Sequence, residues 1–287
     1  MMPGAYGAPL PGERAMKMNY RDRIAVVTGG ASGIGRALCG GLARRGARVV
    51  VADINYDEAC GVARAIESSG GVARAEALDV SDEEAVRGTV GRCMEEFGDI
   101  DYFFNNAGIC VTGDALDIPM KSWKRIIAVN LEGVIHGTMA AYQAMARGGG
   151  GHIVNIASLA GFAPFSINAP YTAAKYAVVG LTHALRPEAA DLGVRMTLVC
   201  PGIVRTAFYD SVDVVGASKE EYKSHLPRNI ISAERAADII LQGVARNRKM
   251  IIFPPHARAF WWIQKLAPWM MDVINRRMVR KFRSMRG

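Results

Sequence analysis

"IAVVTGGASGIGRALCGGLARRG", residues 24–46, indicates the fold of this chain more clearly than any other segment. It begins with a continuous apolar run, passes through a glycine-rich turn, and continues with apolar residues at helical spacing as far as Gly46. The next run, ARVVVAD at 47–53, is again apolar and strand-like. A buried strand, a helix and a second buried strand make a β–α–β unit, whose two strands lie parallel with a right-handed crossover.

This alternation continues along most of the chain. Further apolar runs stand at 72–80, 101–108, 152–158 and 194–202. Helical patterns separate them, with a long helix expected over 120–147 and another near 170–191. Buried strands alternating with helices predict an α/β fold with a doubly wound, mostly parallel, Rossmann-like sheet. Pro187 lies inside the second of these helices, so a kink or an early end is expected there.

Composition divides the chain into three parts. Residues 1–22 are broken by Pro and Gly, lack the apolar run of a signal peptide, and are predicted to be a disordered extension. Residues 23–255 are predicted to form one domain, and 256–287 a basic, amphipathic tail rich in Trp and Met. Residues 258–287 contain eight Lys or Arg and one Asp, a net charge of +7, whereas the whole chain carries +8. Because the body is nearly neutral, nothing indicates a nucleic-acid partner.

The cysteines and histidines indicate no metal site. The five Cys are scattered without a C-x-x-C pair, and the five His show no metal-ligand spacing. An odd number of scattered cysteines is typical of a reducing compartment, so a cytoplasmic location is expected. No stretch reaches the ~18 uncharged apolar residues that a membrane-spanning helix requires.

The glycine-rich turn predicts a dinucleotide site. Gly29 permits a tight turn, Gly33 lets the backbone approach a pyrophosphate, and Gly35 lets the helix pack closely on the strand. The start of the helix then offers free N–H groups to phosphates. Asp53 ends the second strand, where its carboxylate can bind the adenosine ribose and would repel a 2′-phosphate, which favours NAD over NADP. Two observations weigh against this: Asp53 could simply end a strand, and Arg36 could favour NADP.

A second motif, NAPYTAAKYAVVGL at 168–181, carries acid–base chemistry. Tyr171 and Lys175 are four residues apart and therefore share a helix face. A phenol titrates near pH ~10, and a nearby ammonium brings its pKa towards neutrality. Ser158 ends the run HIVNIAS, at the sheet edge where such folds bind ligands. Each residue alone has an ordinary structural explanation, and only their combination with the glycine turn indicates an active site.

The chain resembles the short-chain dehydrogenase/reductase family. The motifs that match, besides TGGASGIG, Ser158 and YTAAK, are Asp79 in LDV, NNAG at 105–108, Asn130 in VNLEG and PGIVRT at 201–206. They occur in the family's order and spacing over about residues 20–255. The resemblance implies that the domain is a single, NAD-preferring dehydrogenase/reductase unit.

The resemblance also implies roles for the site residues. Tyr171 would be the acid/base, Lys175 would lower its pKa and hold the nicotinamide ribose, Ser158 would polarise the carbonyl, and Asn130 would hold a water of the proton relay. The implied contacts to NAD are Gly29, Ser32, Gly33, Ile34, Gly35, Asp53, Asp79, Val80, Asn106, Ala107, Gly108, Tyr171, Lys175, Pro201, Gly202, Ile203 and Thr206. Among these, Asp53 would bind the adenosine ribose, and Asp79 would lie at the adenine.

The implied reaction is hydride transfer between NAD(H) and a secondary alcohol or ketone. The segment 203–231 is rich in Phe, Tyr and Val, which hints at a lipophilic substrate of steroid, retinoid, acyl or terpenoid type, although a lid packing on its own protein would look the same. A homo-oligomer, dimer or tetramer, is expected. One alternative is a catalytically silent NAD-binding scaffold or sensor. A related sugar-nucleotide epimerase would need a larger C-terminal domain than residues 256–287 provide.

The tail has its own amphipathic pattern. As a helix, residues 271–286 place Met271, Ile274, Met278, Phe282 and Met285 on one face and basic residues around the rest. This tail could pack on its own body or on a sister subunit, cap the substrate pocket, or lie in the headgroup layer of an anionic membrane. From the excess of positive charge we expect residues 258–287 to attach the protein peripherally to the cytoplasmic membrane face.

Overall fold

The computed structural model describes residues 20–224 and 230–285. The strands are β1 (Ile24–Thr28), β2 (Arg48–Asp53), β3 (Val72–Ala77), β4 (Tyr102–Asn105), β5 (Val111–Gly113), β6 (Gly151–Ile156), β7 (Val194–Pro201), β8 (Val204–Arg205), β9 (Asp213–Val215), β10 (Ile231–Ser232) and β11 (Met250–Phe253). Seven of them form one parallel sheet in the order β11-β7-β6-β4-β1-β2-β3. The predicted doubly wound, Rossmann-like fold is confirmed.

Helices cover both faces of this sheet. They are α1 (Gly33–Ala43), α2 (Tyr56–Ser68), α3 (Glu83–Phe97), α4 (Met120–Ile127), α5 (Gly133–Gly148), α6 (Ala169–Asp191), α7 (Phe208–Ser211), α8 (Lys219–Ser224), α9 (Ala233–Ala245), α10 (Pro255–Leu266) and α11 (Pro268–Arg283). One core joins α1, α2 and α9 to the sheet around Leu38, Val49 and Ile240. The opposite core lies under α3 and α5 around Val90, Met145 and Ile153.

Strand β1 is where the winding reverses. Val26 lies opposite Val50 on one side and Phe103 on the other, and all three side chains are buried. The chain leaves β1 towards β2 and β3, and returns to β4 on the other side. Open α/β sheets bind ligands outside the carboxyl ends of the strands at such a reversal. The fold therefore brings the ends of β1, β4 and β6 to one crevice.

Two predicted helices differ in detail from the structure. The helix expected over 120–147 is α4 and α5 joined by a π-helical turn, Ala128–Glu132, which contains Asn130. The early end expected at Pro187 is wrong, because α6 continues to Asp191. Pro187 lacks one N–H only, and beyond it Ala189 is fully buried in the core under α3 and α5, so packing holds the last turn in place.

The ends of the described chain pack on the domain. The predicted extension 1–22 lies outside the described residues up to position 19, and Tyr20 is already buried, with its hydroxyl donating to the Leu241 carbonyl at 2.7 Å. At the other end, α10 and α11 form a helical hairpin that lies against the end of the domain. Across 20–224 and 230–285, no helix is long and apolar enough to cross a membrane.

Candidate active site

Gly29 and Gly35, in the turn after β1, leave no room for a side chain. Gly29 and Gly33 have φ of 62° and 51°, the left-handed region that glycine adopts without strain. A Cβ on Gly29 would lie 2.8 Å from the Cα of Ala107. A Cβ on Gly35 would lie 1.9 Å from the carbonyl oxygen of Gly29, so α1 can approach the turn only because residue 35 is glycine.

Thr28 fixes this turn to the end of β4. Its hydroxyl donates to the Phe104 carbonyl at 3.2 Å and accepts from the N–H groups of Asn106 and Ala107 at 3.0 and 3.1 Å. The Asn106 amide returns two hydrogen bonds, to the carbonyls of Thr28 and Gly29. Thr28 is part of the quoted motif but was not predicted as a site residue, and its place at the end of an apolar strand was the available sequence signal.

Asp53 stands where the sequence placed it, at the end of β2. Its carboxylate accepts from the N–H of Ala31 and of Asn55, both at 3.0 Å. Hydrogen bonds at the start of α9 lower the pKa of Glu234, and the charges of Arg44 and Arg36 contribute less to this lowering. Arg36, the cation that could favour NADP, interacts with this acidic residue of α9 and is not among the described residues that line the crevice.

The second motif brings its two side chains together on α6. The Nζ atom of Lys175 lies 5.7 Å from the centre of the Tyr171 ring and donates to the Ile156 carbonyl at 2.9 Å. Lys175 is 3% exposed, which is rare for a lysine without a carboxylate partner. Ser158 follows β6 and accepts from the N–H of Ala160 at 3.1 Å. The serine, the tyrosine and the lysine line the same crevice.

Burial controls the protonation of both groups. It raises the pKa of Tyr171 above its usual value, and a hydrogen bond with Ser158 acts in the opposite direction. Burial also lowers the pKa of Lys175 to about 8. Burial thus acts on the pKa of Tyr171 against the lowering expected from the Lys175 ammonium, and that lowering stays a prediction.

Asn130 acts on the backbone of the neighbouring loop. It is fully buried within the π-helical turn, where its side-chain oxygen accepts from the Ile109 N–H at 2.8 Å and its nitrogen donates to the Ile109 carbonyl at 2.7 Å. π-Turns of this kind insert one residue into a helix and re-aim its neighbours. Since the side chain already holds Ile109, a relay water at this position would bind the main chain instead.

A cavity of about 1100 Å³ joins these groups. Almost every predicted site residue lines this cavity. The exceptions within the described chain are Gly35 and Asn130, which lie behind the lining residues. Asp79 lines it from the end of β3, where its carboxylate accepts from the N–H and hydroxyl of Ser81 at 2.9 and 2.7 Å. The volume exceeds the ~300–1,000 Å³ of ordinary small-molecule pockets, which leaves room for a dinucleotide and a second ligand.

The C-terminal hairpin supplies part of the wall. Phe260 of α10 and Met278, Phe282 and Met285 of the last helical turns line the cavity. Thus the apolar stripe predicted for 271–286 faces the protein, and Phe282 is 2% exposed. The stripe was predicted from the sequence, and a cap over the pocket was one of the alternatives for the tail. These residues were nevertheless not predicted to be part of the site.

Two polar side chains hold the hairpin over the cavity. The Asn275 amide accepts from the Ser166 N–H at 3.0 Å and donates to the Pro164 carbonyl at 2.8 Å. Arg283 donates to the carboxylate of Asp114 at 2.8 Å. These contacts fasten α11 to the loops after β6 and β5, which flank Ser158 and Tyr171.

The cavity fits a dinucleotide. The positive-φ glycines and the start of α1 form a backbone cradle for phosphates, Asp53 provides ribose acceptors at one end, and Lys175 provides a donor beside Tyr171 at the other. In residues 20–224 and 230–285, no group of three or more His, Cys, Asp or Glu could hold a metal ion.

Several known proteins have sequences similar to this chain. The family model described as short chain dehydrogenase matches residues 23–213. The probable oxidoreductase EphD of Mycobacterium tuberculosis is 35% identical over 259 residues, which cover 87% of this chain and 44% of EphD, so the chain spans less than half of that relative. The M. tuberculosis protein SadH is 34% identical over 84% of this chain and 89% of its own. Cyclohexanol dehydrogenase of Acinetobacter sp. is 36% identical over 68% and 78%.

Solved structures share the fold. A short chain dehydrogenase/reductase from Burkholderia phymatum in complex with NAD has a TM-score of 0.82 at 24% identity, over 88% of this chain and 96% of that one. A metagenomic short-chain oxidoreductase in complex with NADP has a TM-score of 0.68 at 30% identity, over 82% and 98%.

Proposed function

The chain belongs to the short-chain dehydrogenase family, and we propose that it transfers a hydride between NAD(H) and a secondary alcohol or ketone. The observation that carries the proposal is the placement of Ser158, Tyr171 and Lys175 on one wall of a cavity that also contains the glycine turn. A nicotinamide, when bound, supplies the hydride chemistry, and the protein supplies orientation and the proton.

The three side chains divide the proton chemistry among them. Ser158 donates its hydroxyl hydrogen to the substrate oxygen. The Tyr171 phenol gives a proton to that oxygen when a ketone is reduced, or takes one when an alcohol is oxidised. The Lys175 ammonium donates hydrogen bonds to the ribose hydroxyls of a nicotinamide bound beside Tyr171. Its positive charge favours the Tyr171 phenolate when the phenol gives up its proton. Asn130 keeps the Ile109 main chain in place at the mouth of this site.

We propose NAD rather than NADP as the cofactor. The support is the Asp53 carboxylate at the cavity wall, followed by the apolar Ile54, together with the position of Arg36 towards α9. A 2′-phosphate beside Asp53 would place two like charges together in a partly buried site, which is unfavourable. Contacts of the remaining predicted residues with the dinucleotide are part of the same proposal.

The substrate we propose is lipophilic. Phe165, Phe208, Phe260, Met278 and Phe282 surround the part of the cavity nearest to Tyr171 and the hairpin, and large apolar walls select apolar ligands. The relative named cyclohexanol dehydrogenase suggests an alicyclic secondary alcohol as the first compound to try. A cytoplasmic homo-oligomer, dimer or tetramer, stays a prediction.

A panel of alicyclic, steroid, retinoid and terpenoid alcohols and ketones, each with NAD(H) and with NADP(H), tests the proposal by absorbance of the reduced nicotinamide. We expect turnover with NAD(H) and an apolar secondary alcohol or its ketone. NADH binding without turnover across the panel would instead favour the catalytically silent scaffold.

A further inference from the structure

The hairpin has a second face, which points away from the cavity. Its large apolar side chains are exposed: Trp262 by 49%, Leu266 by 73%, Trp269 by 66% and Val273 by 44%. These residues stand at the end of α10 and the beginning of α11, on both sides of the bend at Ala267. Large apolar side chains exposed close together on a protein surface indicate an interaction site.

Positive charge continues this face along α11. At 100° per residue, Trp269, Val273, Arg276 and Arg280 lie within a sector of about 60°, opposite to the buried side chains of Met271 and Phe282. Arg276 and Arg280 are exposed. The outer face thus begins with large apolar groups at the bend and becomes cationic towards the C-terminus.

A lysine holds the aromatic part of this face together. The Nζ atom of Lys265 lies 5.5 Å from the Trp261 ring centre and 5.6 Å from that of Trp262, and the two rings are 4.7 Å apart. An indole with a cation at its face is suited to a layer that is apolar on one side and charged on the other.

The charge identifies the partner. Residues 258–287 carry a net charge of +7, with Asp272 as the one acidic residue. A second copy docking through the same face would bring two such charges together, because a two-fold interface pairs the same patch with itself. An anionic surface, in contrast, gains from every Lys and Arg that approaches it.

We propose that the outer face of the α10–α11 hairpin docks on an anionic lipid bilayer. The side chains of Trp262, Leu266 and Trp269 enter the headgroup layer, and Arg276 and Arg280 contact lipid phosphates. The inner face remains on the cavity wall, so docking needs no unfolding of the hairpin. This replaces the sequence-based expectation in one respect, since the stripe from Met271 to Met285 is not the lipid-facing side. The proposal is independent of the reaction that the cavity catalyses.

Co-sedimentation of the full chain with vesicles tests this docking. One set contains equal parts phosphatidylcholine and phosphatidylglycerol, and the other contains phosphatidylcholine alone. We expect pelleting with the anionic set at low salt and its loss when salt screens the charges. Arg276→Glu with Arg280→Glu should weaken the anionic partition by more than tenfold, since one basic residue near such a surface is worth about fivefold.

Matched variants separate docking from general stickiness. Leu266→Ser with Trp269→Ser should weaken partition by more than tenfold, whereas Leu116→Ser with Leu192→Ser, two exposed leucines elsewhere, should leave it unchanged. Arg87→Glu on α3 is the control for charge. NADH binding shows that each variant is folded and keeps this test apart from that of the reaction.

Three results would overturn the proposal. The first is a full chain that stays in the supernatant with anionic vesicles at low salt. The second is equal pelleting with both vesicle sets. The third is a Leu266→Ser, Trp269→Ser variant that keeps its vesicle partition but changes oligomeric mass in solution, which would make the face a contact between copies of this chain.

Discussion

The glycine turn after β1 and the C-terminal hairpin both line the cavity, but they are built on different principles. At the turn, function depends on the absence of side chains: Gly35 has no space for a Cβ, and Gly29 needs a left-handed backbone. At the hairpin, function depends on which of two apolar faces packs inward. Phe282 is buried while Trp269 is exposed, although both are large aromatic residues on one helix.

The two regions differ in how closely their sequences determine their structures. A tight turn beside a helix N-terminus tolerates few residues, so its sequence has few alternatives. An amphipathic helix with two apolar patches has several equally good partners. We therefore expect larger effects from substitutions of the polar residues that line the cavity than from loss of a contact that holds the hairpin.

The largest effect is expected at the phenol. Tyr171→Phe should lower turnover about 10²–10⁴-fold, since it removes the proton donor and acceptor, and should leave NADH binding nearly unchanged. Steady-state kinetics with the best substrate, together with NADH fluorescence titration, measures both. Tyr209→Phe, which removes another phenol of the same cavity, is the control and should keep most of the activity. Near-normal turnover of Tyr171→Phe would exclude this mechanism.

The buried ammonium of Lys175 should lower the free energy of unfolding by an amount that depends on pH. Burial lowers its pKa from 10.5 to about 8, so the unfolded chain binds more protons than the folded one between these values. The penalty of holding a buried ammonium is complete below pH 8 and disappears as the pH rises towards 10.5. The free energy of unfolding of the native protein should therefore gain about 3 kcal/mol over that interval relative to Lys175→Met.

Denaturant titrations of the native protein, Lys175→Met and the exposed-site control Lys124→Met measure this difference at pH 7 and at pH 10. Lys175→Met should also lose turnover and bind NADH more weakly, because the donor beside Tyr171 is gone. A stability gap that does not change with pH would show that Lys175 is not buried as an ammonium.

Asp53 is expected to set the preference between the two dinucleotides. Asp53→Asn should reduce the preference for NADH over NADPH roughly tenfold to a hundredfold, because hydrogen bonds to a charged carboxylate contribute about 1.5–3 kcal/mol. Binding of both reduced cofactors is measured by fluorescence. Arg36→Ala should hardly change the ratio, since Arg36 lies towards α9. A native protein that binds NADPH more tightly would contradict the assignment.

The fold could be predicted from the sequence because a local sequence pattern determines each of its main elements. The glycine turn, the apolar strands and the motif around Tyr171 each constrain their own segment. What the sequence missed depends on packing between distant segments. The bond from Asn130 to Ile109 has no sequence signature, and the π-turn at Ala128–Glu132 has the pattern of a continuous helix. The apolar stripe that includes Met271 was visible in the sequence, but the sequence did not show which surface it packs against.

The smallest effect is expected at the contact that fastens the hairpin. Arg283 bonds Asp114, whose side chain is 10% exposed, while that of Arg283 is 55% exposed, so the pair is partly screened and contributes about 1 kcal/mol. Arg283→Ala should therefore raise KM for an apolar substrate up to about fivefold and leave kcat and NADH affinity unchanged, because only the wall formed by Met278 and Phe282 is loosened. Arg277→Ala, an exposed site on the same helix, is the control. Because both substitutions remove the contact between Arg283 and Asp114, the effect of Asp114→Asn combined with Arg283→Ala should be smaller than the sum of the two single effects. An unchanged KM in both variants would mean that the hairpin covers the cavity without this contact. The position of the hairpin would then depend on its apolar packing and on the contacts of Asn275.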